Sequence, residues 1–343
     1  MRMHGSEARR SEARRSYTVV GGGAIGGTIA FHLARAGHPV SIVDAEHDHV
    51  TAIGQHGLTL RRPGGDEVVR VPAFVPETAP PELGRVLLAV KAHATEEAMR
   101  WLRPRLAREG FVVSLQNGLN ERLIASFVGE DRTVGAFVNL FADVVAPGVV
   151  RDGGRGALVV GEPDGRITDR VEQVVADLQA WGPAKATTNV EGYLWAKLGF
   201  GAMLTTTALA DAPMADLIDM HRPLMHAVTA EVFAAAGNRT LEPFDQFEPA
   251  AYLPGAVERE EATDRLVAWL RTQPKDRSGI WRDIAVRHRP VEVHHHYAPV
   301  LAEADHRDVP APMLRAVLAR LNDIETGAAT MSEKHLTELG RQL

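Results

Sequence analysis

The stretch Tyr17-Thr18-Val19-Val20-Gly21-Gly22-Gly23-Ala24-Ile25-Gly26 decides the fold. A short β-type run enters Gly-x-Gly-x-x-Gly, and a helical pattern follows over residues 24–36. Gly37 is placed to stop that helix. A second β-type run covers 39–43. Strand, glycine turn, helix and strand within about 30 residues make a βαβ unit. The glycines serve different physical ends. Gly21 permits the tight turn, Gly23 lets the backbone approach a pyrophosphate, and Gly26 lets helix and strand pack closely. The helix N-terminus then offers N–H groups and a positive dipole end to phosphate. The predicted cofactor contacts are therefore Gly21, Gly22, Gly23, Ala24, Ile25 and Gly26. Glycines also mark ordinary βα turns, but the flanking strand and helix favour a dinucleotide site.

Asp44 ends the second strand. An acid about 20 residues after the glycines hydrogen-bonds the adenine ribose 2′-hydroxyl and repels a 2′-phosphate. Asp44, followed by Glu46 and Asp48, thus predicts NADH over NADPH. The alternative is that Asp44 caps a turn. Arg61 and Arg62 would compensate a phosphate only if their hairpin folds close by.

Outward from this unit, 58–62 and 68–71 read as a hairpin around a Pro-Gly-Gly turn. Continuous apolar runs at 86–90 and 111–115 read as strands buried on both faces. A helix is expected over 95–106. Strands are expected over 134–140 and 158–160, joined by a glycine-rich loop at 153–156. Beyond residue 189 long helical patterns dominate, at 191–209 and 214–236. An acidic, loop-rich stretch follows at 248–262, then helical pieces at 281–289, 292–303 and 312–325, with an ambiguous β-type run at 291–293. The fold class is α/β: a Rossmann-type dinucleotide-binding domain, 17–188, followed by a mostly α-helical domain, 189–343, for substrate and dimerisation. Such a junction commonly forms a ligand cleft. Residues 1–16, with SEARR twice and no apolar core, read as a disordered tail and not a secretory signal.

The 343 residues carry a formal net charge of −6, which excludes the strongly basic surface of a dedicated nucleic-acid binder. There is no cysteine, hence no disulfide, thiolate zinc site or cysteine nucleophile. No apolar run reaches the length of a membrane span. Cytosol is the expected compartment.

Lys91 and Asn117 follow predicted strands, at the edge where open α/β sheets bind ligands. A cation at Lys91 would meet a substrate carboxylate or a cofactor ribose, or simply be solvated. Asn117 precedes Gly118, a common turn dipeptide. Lys197 lies among Leu194, Trp195, Leu198 and Phe200. Such surroundings desolvate an amine and lower its pKa toward the working range of an acid, although a lysine can also snorkel from an apolar surface. His294, His295 and His296 cannot all meet one ion from a helix, since neighbours point about 100° apart. Glu292 and His296 stand at i, i+4, but no HExxH pattern accompanies them, and no metal is predicted.

The segments GGGAIGG, LLAVKAHAT and SLQNGLNE, with YLWAKL, SGIWRDI and RPVEV later, resemble the ketopantoate reductase (2-dehydropantoate 2-reductase) family over about 17–325. The resemblance places the family's dinucleotide glycines on Gly21, Gly23 and Gly26, its strand-end lysine on Lys91 and its turn asparagine on Asn117. It makes Lys197 the proton donor to a carbonyl receiving hydride, and Glu292 the catalytic glutamate that holds a substrate hydroxyl or amine, or a cofactor hydroxyl. Glu292 stands one position later, counted from Asp283, than in many relatives. Ser278 takes the family's substrate-binding serine. Two asparagines usually follow the lysine, four and eight residues on. Here those positions are Gly201 and Thr205, with Thr205 kept as a substrate contact. His294-His295-His296-Tyr297 replaces the usual Asp-x-x-Asn-Gly. The implied activity is NAD(P)H-dependent reduction of a 2-oxo acid, or a related carbonyl compound, in a chain that can form a homodimer; the changes at Gly201, Thr205 and His294–His296 leave open whether ketopantoate itself is the substrate. The rivals are an opine- or imine-type dehydrogenase and an NAD(P)-binding protein without turnover.

Overall fold

The computed structural model describes residues 16–154, 156–273 and 275–343. The expected tail lies outside the described residues, apart from Ser16. The chain divides into two compact units, one ending at Glu191 and the other starting at Gly192.

The first unit opens with β1 (Tyr17–Val20), α1 (Ala24–Arg35), β2 (Val40–Val43) and α2 (His47–His56). There follow β3 (Leu58–Arg62), β4 (Gly65–Val69), β5 (Ala73–Phe74), β6 (Leu83–Leu88), α3 (Thr95–Leu102) and β7 (Leu106–Ser114). Then come α4 (Glu121–Val128), β8 (Thr133–Asn139), β9 (Ala142–Ala146), β10 (Val149–Asp152), β11 (Ala157–Gly161), α5 (Asp169–Leu178) and β12 (Ala184–Ala186). Eight strands form one sheet in the order β12-β11-β8-β7-β6-β1-β2-β5. All its pairs are parallel except β8 with β11. The strands read as continuous apolar runs because both faces are covered. Val19, Ile42, Leu87 and Val113 pack with Ile29, Phe31 and Leu33 of α1 on one face. Val20, Val43, Val86, Leu88 and Val112 pack with Met99 and Leu102 of α3 and Ile124 of α4 on the other.

A second sheet, ordered β4-β3-β10-β9, joins the expected hairpin to two strands that lie between β8 and the expected glycine-rich loop. β10 runs parallel to β3 from some 90 residues away: Val150 pairs with Leu60. The local pattern of β9 and β10 is too short and polar to announce them. Helices α2, α4 and α5 also went unannounced. On α2 only His49 and Ile53 are buried, so no apolar stripe marks it.

The second unit begins inside α6 (Val190–Thr207), which starts two residues before it. It continues with α7 (Met214–Met220), α8 (Arg222–Ala236), α9 (Arg259–Thr272), α10 (Gly279–Ala285), α11 (Val293–His306), α12 (Pro312–Glu325) and α13 (Glu333–Gly340). The single helix expected over 214–236 is two, broken at His221. Pro223 lacks an N–H to continue a preceding helix but suits the first turn of a new one. The loop-rich 248–262 stretch contains a 3₁₀ turn, Pro249–Tyr252, and the start of α9. The ambiguous run at 291–293 leads into α11, with Val291 and Val293 both buried. α8 packs against α11, α12 and α13, and α7 against α9. No helix among the described residues is long and apolar enough to cross a membrane.

Candidate active site

Sheet register gathers the first set of candidate residues. Val20 pairs with Val43 on one side and with Leu88 on the other, and Leu88 pairs with Ser114. The glycine loop, Asp44, Lys91 and Asn117 therefore leave the carboxyl ends of four adjacent strands. Gln116 braces this edge, donating to Val90 O at 2.8 Å and to Thr95 Oγ1 at 2.7 Å. Lys91 is half-buried and Asn117 exposed.

The glycines differ in what a side chain would meet. Gly21 holds φ at 94°, and a Cβ there would lie 2.7 Å from Val90 N. A Cβ on Gly26 would lie 1.9 Å from Gly21 O, so the crossing of β1 and α1 admits no side chain. A Cβ on Gly23 would enter open space. Gly23 is the N-cap of α1, whose end has no side-chain cap and no acid in its first turn. Ala24 and Ile25, both half-buried, begin that turn. Open approach, N–H groups and a positive helix end fit a pyrophosphate.

Asp44 has two roles in this geometry. Its Oδ2 accepts the Gly22 N–H at 2.6 Å and its Oδ1 accepts the Glu46 N–H at 2.9 Å. The carboxylate thus braces the loop and keeps a negative charge beside it. Arg61 is bound to Asp66, and Arg62 to Glu67 and Asp152. The hairpin arginines are committed to those carboxylates.

In the second unit, α6 is apolar nearly all round, as expected of a helix surrounded by protein. Leu194, Trp195, Leu198, Phe200, Ala202 and Met203 are buried. One stripe stays half-exposed: Tyr193, Lys197, Gly201 and Leu204. Lys197 is its only cation. Burial lowers the Lys197 amine to about 8, and attraction to Asp245 opposes the drop. Asp245 sits at φ 47° in a turn closed by Phe247 N–H to Phe244 O at 2.9 Å and Phe244 N–H to Phe247 O at 3.2 Å. Both phenylalanines pack on Phe200 of α6, at ring-centroid distances of 6.1 and 5.2 Å. The turn that carries the carboxylate is anchored to the helix that carries the amine.

Thr205 is 1% exposed, and its hydroxyl turns inward to donate to Gly201 O at 2.8 Å. Tyr297 of α11 donates to Leu198 O at 2.8 Å. Glu292 is the half-buried N-cap residue of α11; its carbonyl accepts the His295 and His296 N–H groups, and its carboxylate does not cap the helix. Tyr297 thus ties the helix that begins at Glu292 to the turn that carries Lys197. Ser278 is buried at the start of α10, its Oγ accepting the Trp281 N–H at 3.1 Å. As a hydroxyl it keeps one hydrogen to donate. No cluster of three or more His, Asp or Glu side chains among the described residues could hold a metal ion.

Residues 17–165 match the family described as Ketopantoate reductase PanE/ApbA, and 189–325 match its C-terminal counterpart. The 2-dehydropantoate 2-reductase of Mesorhizobium japonicum is 32% identical over 224 residues, covering 56% of this chain and 68% of that one. The chain belongs to the ketopantoate reductase family. The Halobacterium salinarum 2-dehydropantoate 2-reductase is 28% identical over 306 residues, covering 87% of this chain and 95% of the relative. The crystal structure of a PanE/ApbA family ketopantoate reductase from Ralstonia eutropha superposes with a TM-score of 0.76 at 29% identity, covering 91% and 99% of the two chains. As a family member the protein is a nicotinamide-dependent oxidoreductase, built as a Rossmann-type unit followed by a helical one.

Within this family member, two supporting residues, His49 and Asp245, carry no signal in the sequence, and Tyr297 shows there only as a departure from the family pattern. His49 is buried; its Nε2 lies 2.9 Å from Gly22 O, and its Nδ1 accepts the Gly148 N–H at 3.1 Å. That acceptor role places the ring hydrogen on Nε2, so His49 donates to Gly22 O. A histidine five positions after Asp44 carries no motif. Asp245 and Tyr297 lie 48 and 100 positions from Lys197, and only the fold brings them to α6.

Proposed function

We propose that the protein reduces a 2-oxo acid, or a closely related carbonyl compound, to the 2-hydroxy product with NADH, Lys197 giving the proton. The observation that carries this reading is Lys197 itself: an amine lowered to about 8 on the one half-exposed stripe of a buried helix. An acid titrating near the working pH is both protonated enough and willing enough to give up its proton. Bound at the glycine loop, the nicotinamide cofactor supplies the hydride. Gly21 to Gly26 hold the pyrophosphate, with Lys91 and Asn117 at neighbouring strand ends. Asp44 takes the adenine ribose and disfavours a 2′-phosphate. Asn117 and Ser278 orient the substrate, and Glu292 holds a cofactor hydroxyl or the hydroxyl that forms on the reduced carbon. Lys197 Nζ protonates the carbonyl oxygen as negative charge develops there. Thr205, turned toward the backbone, ties one turn of α6 to the next in this reading.

The test follows consumption of reduced nicotinamide with a panel of 2-oxo acids, each with NADH and NADPH. Wild type should turn over at least one of them, and Lys197→Ala should lose roughly 10²–10⁴-fold in kcat while binding cofactor normally. Near-normal turnover by that variant would remove Lys197 from the proton transfer.

A further inference from the structure

Gly201 stands one helical turn beyond Lys197 on the same half-exposed stripe, roughly 6 Å along the axis. A Cβ placed there would meet one neighbour within 4 Å, the Tyr297 hydroxyl at 3.1 Å. The phenol therefore lies at the edge of the volume that a side chain at 201 would need. Tyr297 is 2% exposed and reaches this place from α11.

The polar groups around Gly201 all serve the helix. The Tyr297 hydroxyl spends its hydrogen on Leu198 O at 2.8 Å. The Thr205 hydroxyl donates to Gly201 O at 2.8 Å. Toward its C-terminal end, then, the stripe offers a ligand the bare backbone of Gly201 and the Leu204 side chain. Tyr193 stands one turn before Lys197, toward the other end of the stripe. A substrate whose carbonyl oxygen meets Lys197 Nζ brings the carbons beyond that carbonyl within reach of this end. A hydroxyl on those carbons would lose water and gain no side-chain partner from this stripe, whereas a methyl group would lose nothing.

We infer that the surface formed by Gly201, Leu204 and the inward-held Tyr297 selects 2-oxo acids with an apolar, branched substituent and discriminates against hydroxylated ones. The inference rests on reduction of a 2-oxo acid at Lys197, as proposed above. Tyr297 is the positioning residue: it withdraws its own hydroxyl into the helix and leaves Gly201 without a substituent.

One substrate pair isolates the effect. Ketopantoate and 3,3-dimethyl-2-oxobutanoate differ only by a hydroxyl on one methyl group. With the full-length wild-type protein and its preferred cofactor, kcat/KM should favour 3,3-dimethyl-2-oxobutanoate by at least tenfold. The double variant Gly201→Asn with Tyr297→Asn returns amides to this region and should narrow that ratio by at least fivefold. The change should lie mainly in KM for ketopantoate, a split that general loosening of the fold does not produce. The wild-type ratio decides even where the double variant fails to fold. Equal use of the two acids, or preference for ketopantoate, overturns the inference and leaves 2-oxo acid reduction standing. No turnover of either, or of any other 2-oxo acid, overturns the reading of the Lys197 site and the inference with it.

Discussion

Asp44 Oδ2 accepts the Gly22 N–H at 2.6 Å, so the carboxylate expected to choose the cofactor also helps build the loop that would bind it. Asp44→Asn keeps an oxygen for that hydrogen bond and removes the charge. The variant should stay folded and shift the NADPH-to-NADH ratio of kcat/KM toward NADPH by about tenfold, equivalent to about 1.4 kcal/mol. An unchanged ratio would take Asp44 out of cofactor choice.

The two ends of the glycine motif should fail differently. A methyl group on Gly23 meets nothing in the protein, and one on Gly26 meets Gly21 O at 1.9 Å. Gly23→Ala should keep its melting temperature and lose at least about tenfold in cofactor affinity, because the methyl enters the approach path of the phosphates. Gly26→Ala should lose several degrees of Tm, as backbone strain of about 2 kcal/mol or more would require. Titration of NADH alongside thermal unfolding distinguishes the two, and an equal loss of Tm in both would contradict the assignment.

Asp245 should appear in the pH profile. A proton donor must be protonated, so kcat falls as pH rises through the Lys197 value of about 8. The negative charge of Asp245 holds that value up. Asp245→Asn keeps a residue type tolerant of φ 47° and removes the charge. The alkaline limb should move to lower pH, with Tm little changed. A limb that stays in place would show that Asp245 does not act on Lys197.

How far these features were legible in the sequence differs by region. The β1–α1–β2 unit announced itself because its glycines recur at fixed spacing between a strand and a helix, Gly26 being demanded by Gly21 O within the motif itself. Lys91 and Asn117 were legible as strand-end residues, since their strands are continuous apolar runs. Lys197 was visible as a charge among Leu194, Trp195 and Leu198. β10 was not, because its partner β3 is far away in sequence and its own residues alternate weakly. Nor could the sequence show that Thr205 faces the Gly201 carbonyl, since the inward turn of its hydroxyl depends on the packing of α6. The substitutions at Gly201 and Tyr297 read as two separate losses until the structure placed the phenol of one against the bare backbone of the other.

A stability effect should come from Glu121, at the start of α4. Its carboxyl is enclosed, and burial raises it to about 7, with the charge of Glu191 adding to the rise. A folded-state pKa above the unfolded one means that the folded state holds its proton longer. The stability this contributes is full below the unfolded value and is lost as pH climbs through about 7. Glu121→Gln should therefore raise Tm relative to wild type at about pH 8 and leave it nearly unchanged at about pH 4. Equal effects at the two pH values would show that the carboxyl does not titrate in this range.

The lowered amine of Lys197 also has a consequence for chemical labelling. Ordinary lysines titrate near 10.4 and are almost wholly protonated, hence slow toward acylating reagents, near neutral pH. An amine at about 8 carries a larger unprotonated fraction there, and Lys197 is half-buried on α6. The chain has five lysines, so a limiting dose of an amine-directed ester gives a short peptide map. Lys197 should be among the first positions labelled, and the same property that suits it to protonate a carbonyl makes it a handle for a covalent probe.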